Sequence, residues 1–343
     1  MKNEAQKKVE ILVTVPLNES LIESLKNVSP KLNITIQTAK NLQDIPSDIL
    51  KKTEVLFTDQ FIPDSANAPN LRWIQFNYAG LDFLLNHPIT QNSDIKLTSL
   101  SGAAAPQVAE YVLTMMLTLG HKIPAIMRHQ RNREWLPDRY TRLVPTELRG
   151  KTIGLVGYGS IGREIARLVQ PFGLKILASK RDVMHPEESG YTPEGIGDPE
   201  GNLFTRLYPI QAIKSMFKLC DFVVISLPKT KETIGLISEA EFGAMKPEAF
   251  FIDISRGGIT NSEALRTALL EKQIAGAALD VFPEEPLPKD SPLWETPNLI
   301  ISPHISGISN KYNERAVLLF IKNLNLYLED CPLLNLFNPV TGY

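Results

Sequence analysis
The chain has 343 residues, 43% of them hydrophobic, too many for one ordinary domain of roughly 100 to 200 residues and apolar enough for two cores. Its 36 basic and 38 acidic residues leave a net charge of -2, which gives no reason to expect nucleic acid or an acidic membrane as partner. Cys220 and Cys331 stand far apart and form neither a metal-ligand spacing nor a disulfide framework, so no metal is expected and the reducing cytoplasm is the expected compartment.

Met1 to Lys8 make a short polar start without the apolar core of a signal peptide. Near the C-terminus Lys322 and neighbouring asparagines interrupt the best candidate for a membrane span. From Val9 strands alternate with helices: VEILVTV, a helix around Glu19 to Lys26, LNITI, EVLFTD and LRWIQF. That is the rhythm of a small parallel α/β domain. Asn77-Tyr78-Ala79-Gly80-Leu81-Asp82 follows at a strand's carboxyl end, where ligands gather in open α/β sheets. Backbone N–H groups near Ala79 and Gly80 there suit a carboxylate. On spacing alone, a plain turn into a helix is the simpler reading.

IKLTSL is a further strand, and Pro106 opens a long helix in which Val108, Tyr111, Val112, Met115, Met116 and Leu119 share one apolar face. The methionines read as core. Pro124 is expected to break or kink this helix. Arg128, His129, Arg131, Arg133 and Trp135 follow in a polar stretch that suits an intersubunit contact or a solvated helix face.

Lys151 to Arg181 reads as strand, turn, helix, strand. The apolar run of Ile153, Leu155 and Val156 breaks at Gly157-Tyr158-Gly159-Ser160-Ile161-Gly162, a G-x-G-x-x-G turn. Gly157 permits the tight turn, Gly159 lets a pyrophosphate approach, and Gly162 lets the helix pack on the strand. The helix start then faces the phosphates. Pro171 and Gly173 end the helix, and Leu174 to Ala178 form the second strand. About twenty residues after the glycines an NAD site carries Asp or Glu for the ribose 2′-OH. Here stand Ser179, Lys180 and Arg181, which suit a 2′-phosphate, so the expected cofactor is NADP in preference to NAD. The rival is that these cations are solvated and Asp182 does the acidic residue's work.

His185 to Gln211, rich in Pro, Gly and Glu, is expected to be a long surface loop. DFVVISL is the next strand, and Pro228 to Thr233 follows it where the adenosine half of a dinucleotide would lie. AFFIDIS, a helix over Ser262 to Glu271, AGAALD and NLIIS complete a doubly wound sheet. Three of these strands end on polar residues: Ser255-Arg256, Asp280 then Glu285, and His304. Parallel strands deliver their carboxyl ends to one crevice. Arg can hold an α-keto acid's carboxylate and polarise its carbonyl, His can protonate the alkoxide, and Glu can fix the imidazole tautomer. Taken singly, Arg256 is equally a helix-end ion pair, Glu285 loop solvation and His304 a cap.

SRGG around Arg256, ALDVFPEEPLP around Glu285 and SPHISG around His304, in this order after GYGSIG, resemble the D-2-hydroxyacid dehydrogenases. The resemblance runs from NYAGLD through PQVAEYVL to CPLLNLFNPVTGY. It implies an α/β protein of two Rossmann-like doubly wound parallel-sheet domains with the active site in the cleft between them. The implied substrate domain is 1–105 with 308–343, the last part a helix from about Lys311 that crosses back; the dinucleotide domain is 106–307. A homodimer built around the dinucleotide domain is implied as well.

Carried onto this chain, the resemblance makes Arg256 the carboxylate and carbonyl binder, His304 the acid/base and Glu285, directly before Pro-Leu, its partner. Asp280 would meet the nicotinamide carboxamide. Tyr78, Ala79 and Gly80 would meet the substrate carboxylate, which turns the reading of that segment towards binding. Leu227, Pro228, Thr233, Ile254, Ser255, Ser306 and Gly307 complete the expected cofactor contacts. The Ser179-Lys180-Arg181 strand end resembles the NADP-using reductases of glyoxylate and hydroxypyruvate, and 191–203 is additional. The implied activity is hydride transfer from NADPH to a small 2-oxo acid. Glu285 argues against the formate dehydrogenases, which put Gln there. The non-enzyme rival, the C-terminal binding protein type of corepressor, resembles the NAD branch with an acidic strand end, which Lys180 and Arg181 do not match.

Overall fold
The computed structural model describes residues 8–39, 41–188, 190–339 and 341–342. The polar start before Lys8, and Val340 and Tyr343 of the closing segment, lie outside the described residues. Two compact units form, Met1–Ala104 with Ser309–Tyr343, and Ala105–Ile308.

The first unit is built from β1 (Val9–Val13), α1 (Glu19–Lys26), β2 (Leu32–Ile36), α2 (Ser47–Lys52), β3 (Val55–Thr58), β4 (Trp73–Phe76) and β5 (Lys96–Thr98). Its strands run parallel in the order β2-β1-β3-β4-β5. The side chain of Asn18 accepts from the Leu21 N–H at 3.0 Å and starts α1. VLFT and WIQF have no polar alternation because β3 and β4 are buried on both faces. Gln75 is the exception in β4, and its buried amide is satisfied: it donates to Ser99 O at 3.1 Å and accepts from Thr98 Oγ1 at 2.9 Å.

The second unit opens with α3 (Ala105–Gly120), α4 (Ile123–Asn132) and α5 (Arg139–Arg142). It continues through β6 (Thr152–Val156), α6 (Ser160–Val169), β7 (Lys175–Lys180), β8 (Arg206–Pro209), α7 (Ile213–Phe217), β9 (Phe222–Ile225) and α8 (Glu239–Phe242). β10 (Phe250–Asp253), α9 (Ser262–Leu270), β11 (Gly276–Leu279) and β12 (Leu299–Ile301) complete it. The seven strands are ordered β12-β11-β10-β9-β6-β7-β8, all parallel. Strand order reverses at β6, which lies between β7 and β9, and such a switch point is where ligands bind in open sheets. The chain then returns to the first unit as α10 (Tyr312–Leu328), where the Phe320 ring lies 4.6 Å from Phe57 and 5.3 Å from Trp73.

Two expectations need correction. Pro124 does not break a helix. α3 has already ended at Gly120, Lys122 turns with φ 54°, and Pro124 sits in the first turn of α4, where a missing N–H removes no helical bond. The stretch 185–211 is also not a plain surface loop. It ends in the edge strand β8 and buries Tyr191, Asp198 and Tyr208. Its anchor is Arg163 of α6, which is 1% exposed. The guanidinium donates to Asp198 O at 2.6 Å and to Pro186 O, stacks on Tyr158 at 4.9 Å, and has Nε 2.9 Å from Glu188 Oε2. Glu164 accepts from Gly197 N at 2.7 Å. A polar-looking sequence is thus held by a buried charge network, which no hydrophobic period reveals.

Candidate active site
The glycine turn has the shape its spacing predicts. Gly157 has φ 103°, and a Cβ there would meet Ser226 O at 2.6 Å. A Cβ on Gly162 would meet Gly157 O at 2.3 Å, whereas one on Gly159 would find nothing within 4 Å. The first and last glycines are therefore required by packing, and the middle one faces open space. Gly159 caps α6 without any side-chain cap, so the helix start presents backbone donors beside that space, with Ser160 and Ile161 half-buried next to it. This fits a phosphate. Tyr158 is not part of that face: it is 1% exposed and its hydroxyl donates to Asp198 Oδ2 at 2.7 Å.

β7 runs on to Lys180, two residues later than expected, and this moves Ser179 inside. Ser179 is fully buried, so its hydroxyl is not at the strand tip; its carbonyl takes the N–H groups of Gly157 and Tyr158, each at 3.0 Å. The Lys180 ammonium donates to the carbonyls of His185 and Glu187, at 2.5 and 3.2 Å. Arg181 is half exposed and has its Nη2 3.7 Å from Glu232 in the loop after β9. The Asp182 carboxylate is turned into its own bend, accepting from Met184 N at 2.9 Å and meeting the His185 ring at 2.6 Å. That contact raises the His185 ring above its ordinary value and lowers Asp182.

The loop after β9 leaves Leu227 and Pro228 half-buried. Thr233 closes it: Thr233 Oγ1 donates to Pro228 O at 2.7 Å and accepts from Thr230 N at 2.8 Å. After β10, Asp253 holds the SRGG loop, accepting from Ser255 N at 2.9 Å, from Ser255 Oγ, and from Thr260 Oγ1 at 2.6 Å. Burial pushes the Asp253 carboxyl above its ordinary value although these donors oppose it. Ile254 and Ser255 are buried. Arg256 Nη1 donates to Ser255 O at 2.8 Å, and a Cβ on the next residue, Gly257, would fall 1.8 Å from Phe282 O. Only glycine lets the Arg256 loop touch the loop after β11.

That second loop carries Glu285. The Phe282 N–H donates to Glu285 Oε1 at 2.9 Å, and the other oxygen, Oε2, lies 2.8 Å from His304 Nδ1. An ionised carboxylate can only accept, so Nδ1 carries the hydrogen and Nε2 is left as the working atom. The ring is 42% and the carboxylate 34% exposed. His304 has φ 51°, a left-handed backbone held between two anchored flanks. Asp280 supplies those anchors: Oδ1 accepts from Ser302 Oγ at 2.6 Å and Ile305 N at 2.9 Å, and Oδ2 accepts from Ser306 N at 2.9 Å. It is fully buried, and through these contacts its carboxylate holds the His304 loop. Gly307 accepts from the Gln107 amide through its carbonyl.

Asp253, Gln107, Tyr111 and Ser302 carry this architecture and were not singled out as site residues in the sequence. Asp253 had a signal, a carboxylate ending the otherwise apolar FFID strand two residues before Ser255. The segment expected to hold substrate lies in the first unit. There Asn77 O accepts from the Tyr312 hydroxyl at 2.6 Å, Tyr78 O accepts from Leu100 N at 2.8 Å, and Tyr78 and Ala79 are exposed.

A parallel-sheet unit with an open glycine turn at its switch point and a His–carboxylate pair at its strand ends defines a dinucleotide-dependent class of protein. Residues 113–306 match the family model described as D-isomer specific 2-hydroxyacid dehydrogenase, NAD binding domain. The chain belongs to the D-isomer specific 2-hydroxyacid dehydrogenase family. It is 34% identical over 275 residues to the glyoxylate reductase of Thermofilum pendens, covering 78% of this chain and 76% of that one. Against the longer D-3-phosphoglycerate dehydrogenase of Archaeoglobus fulgidus it spans 59% of that protein's length, at 26% identity. A D-isomer specific 2-hydroxyacid dehydrogenase family protein from Aeromonas salmonicida has a similar structure, with TM-score 0.79 and 31% identity over 98% of this chain and all of that one. So does the enzyme from Xanthobacter autotrophicus solved with NADPH and MES, with TM-score 0.79, 25% identity and the same coverage.

Proposed function
We propose that the protein reduces a small 2-oxo acid of the glyoxylate or hydroxypyruvate type to the D-2-hydroxy acid, with NADPH as the cofactor. The observation that carries this reading is the 2.8 Å contact of His304 Nδ1 with Glu285, whose second oxygen is fixed by the Phe282 N–H. Glu285 holds the proton on Nδ1 and stabilises the imidazolium, so Nε2 can deliver its proton to the carbonyl oxygen as that oxygen becomes an alkoxide. Arg256, whose loop touches Phe282, binds the substrate carboxylate and polarises the carbonyl, and the backbone of Tyr78, Ala79 and Gly80 binds the same carboxylate. The cofactor would be held by the Gly157–Gly162 turn and supplies the hydride when bound. The Thermofilum relative's name as a glyoxylate reductase supports the substrate class.

The preference for NADP rests on Arg181, the exposed cation at the end of β7, and on Asp182 being engaged within its own turn. The NADPH in the Xanthobacter relative supports it. A homodimer is proposed through the α4–α5 arm, where Met127, Trp135 and Tyr140 are 48%, 83% and 77% exposed, more apolar surface than a solvated face needs. Two unpaired cysteines suit a reducing cytoplasm.

The test is direct. Purified protein with NADPH and glyoxylate, hydroxypyruvate or pyruvate should show loss of reduced-nicotinamide absorbance, and kcat/KM should be higher with NADPH than with NADH. No oxidation with any 2-oxo acid would leave a nucleotide-binding protein of the corepressor type. A clear NADH preference would remove Arg181 from the cofactor site. Light scattering at the mass of a single chain would refute the dimer.

A further inference from the structure
Helix α3 grips the loop that carries His304 at both ends. At the far end the Gln107 amide donates to Gly307 O. At the near end the Tyr111 hydroxyl lies 2.6 Å from Ser302 Oγ, and Ser302 Oγ lies 2.6 Å from Asp280 Oδ1. The direction of this chain follows from its last member. A carboxylate accepts only, so Ser302 gives its hydrogen to Asp280, and Tyr111 must donate to Ser302. Burial pushes the Tyr111 phenol up to about 12, so it keeps the hydrogen it donates. The same Asp280 carboxylate accepts from the N–H groups of Ile305 and Ser306. His304 thus stands between Ser302 and Ile305, both tied to one carboxylate, with its own N–H bonded to Ser302 O at 3.1 Å.

We infer that Tyr111 is a positioning residue for the reaction: through Ser302 and Asp280 it fixes the left-handed turn at His304 and so the angle at which the ring meets Glu285. The inference rests on the assignment of His304 as the acid/base. Without the Tyr111 hydroxyl, Ser302 Oγ is free to rotate away from Asp280, one flank of the turn loosens, and the ring loses its single orientation. A misplacement of about 1 Å costs up to about a hundredfold in rate.

Two measurements test it. In the first, NADPH-dependent glyoxylate reduction is followed for Tyr111→Phe, Ser302→Ala and the double variant. Each single variant should lower kcat about tenfold with KM for NADPH unchanged, and the double should be no worse than either, because both cut one chain. Ser302→Thr, which keeps the hydroxyl, should restore kcat. Losses that multiply in the double variant, or a kcat of wild-type size in Tyr111→Phe, would overturn the inference. The second measurement needs no turnover. At a pH high enough for the ring to be neutral, nitrogen-15 shifts of His304 should show hydrogen on Nδ1 alone in the wild type and a mixture of tautomers in Tyr111→Phe; unchanged ring signals would overturn it. Wild-type protein that is inactive on every 2-oxo acid would sink the functional reading, and the ring signals would still decide the positioning one.

Discussion

The unit Ala105–Ile308 holds two polar constellations that use the same kinds of side chain and differ in what is left over. Around Arg163 the guanidinium meets Glu188, the carbonyls of Asp198 and Pro186 and the face of Tyr158, all inside the fold, and it is 1% exposed. Around His304 the partners anchor one side only: Nδ1 is held, Nε2 has no partner among the described residues, and the ring is 42% exposed. A closed set of charges contributes to structure, because burial makes any unpaired member costly. An open set has a free atom with a fixed direction, which is what proton transfer needs.

The comparison breaks most visibly if both sites respond alike to truncation. His304→Ala should remove about 3 to 5 kcal/mol of barrier lowering, as loss of general acid help does, with a melting temperature close to wild type because the ring closes no buried network. Near-normal turnover would dispose of the assignment. Arg163→Met should do the reverse. It strips the buried partner from Glu188 and two carbonyls, and denaturant unfolding should show a loss of about 3 kcal/mol, as for a buried pair with one member removed. A stability loss below about 1 kcal/mol, the range of a surface pair, would mean that the network does not hold the 185–205 stretch.

The same contrast explains how much could be read from the sequence. The β6–α6 turn was legible residue by residue, because each glycine answers a backbone demand: a positive φ at Gly157, a carbonyl 2.3 Å from any Cβ at Gly162, open space at Gly159. Strands such as FVVI and FFID were legible because burial on both faces leaves an apolar run. The pairing of Glu285 with His304 was legible only through the family resemblance, which picks the glutamate directly before Pro-Leu, and the contact is present at 2.8 Å. What was not legible depends on distant side chains finding one another. Arg163 and Asp198 lie 35 residues apart, and Tyr111 and Ser302 191 apart. Nothing in the local pattern of either partner announces the other. Ser179 was misplaced for a smaller reason: a strand end set two residues late carries a hydroxyl from the tip to the interior.

Tyr158 gives the smallest effect and the sharpest one. Tyr158→Phe removes the hydroxyl that donates to Asp198 Oδ2 at 2.7 Å, but that carboxylate keeps the N–H groups of Leu203 and Asn202 at 3.0 and 3.1 Å. The loss at neutral pH should therefore be about 1 kcal/mol, the net worth of one hydrogen bond. Burial and the neighbouring Asp198 raise the Tyr158 phenol well above its ordinary value. In the unfolded chain the phenol ionises near pH ~10 while in the fold it stays protonated. Above that pH the unfolded state binds fewer protons than the native one, so stability falls as pH rises, and the Phe variant is spared this residue's share. The stability gap between wild type and Tyr158→Phe should thus be constant below about pH 9 and narrow above about pH 10. A gap that stayed constant through this range would mean that the phenol ionises alike in both states and that the network around Arg163 is open to solvent, as the His304 site is.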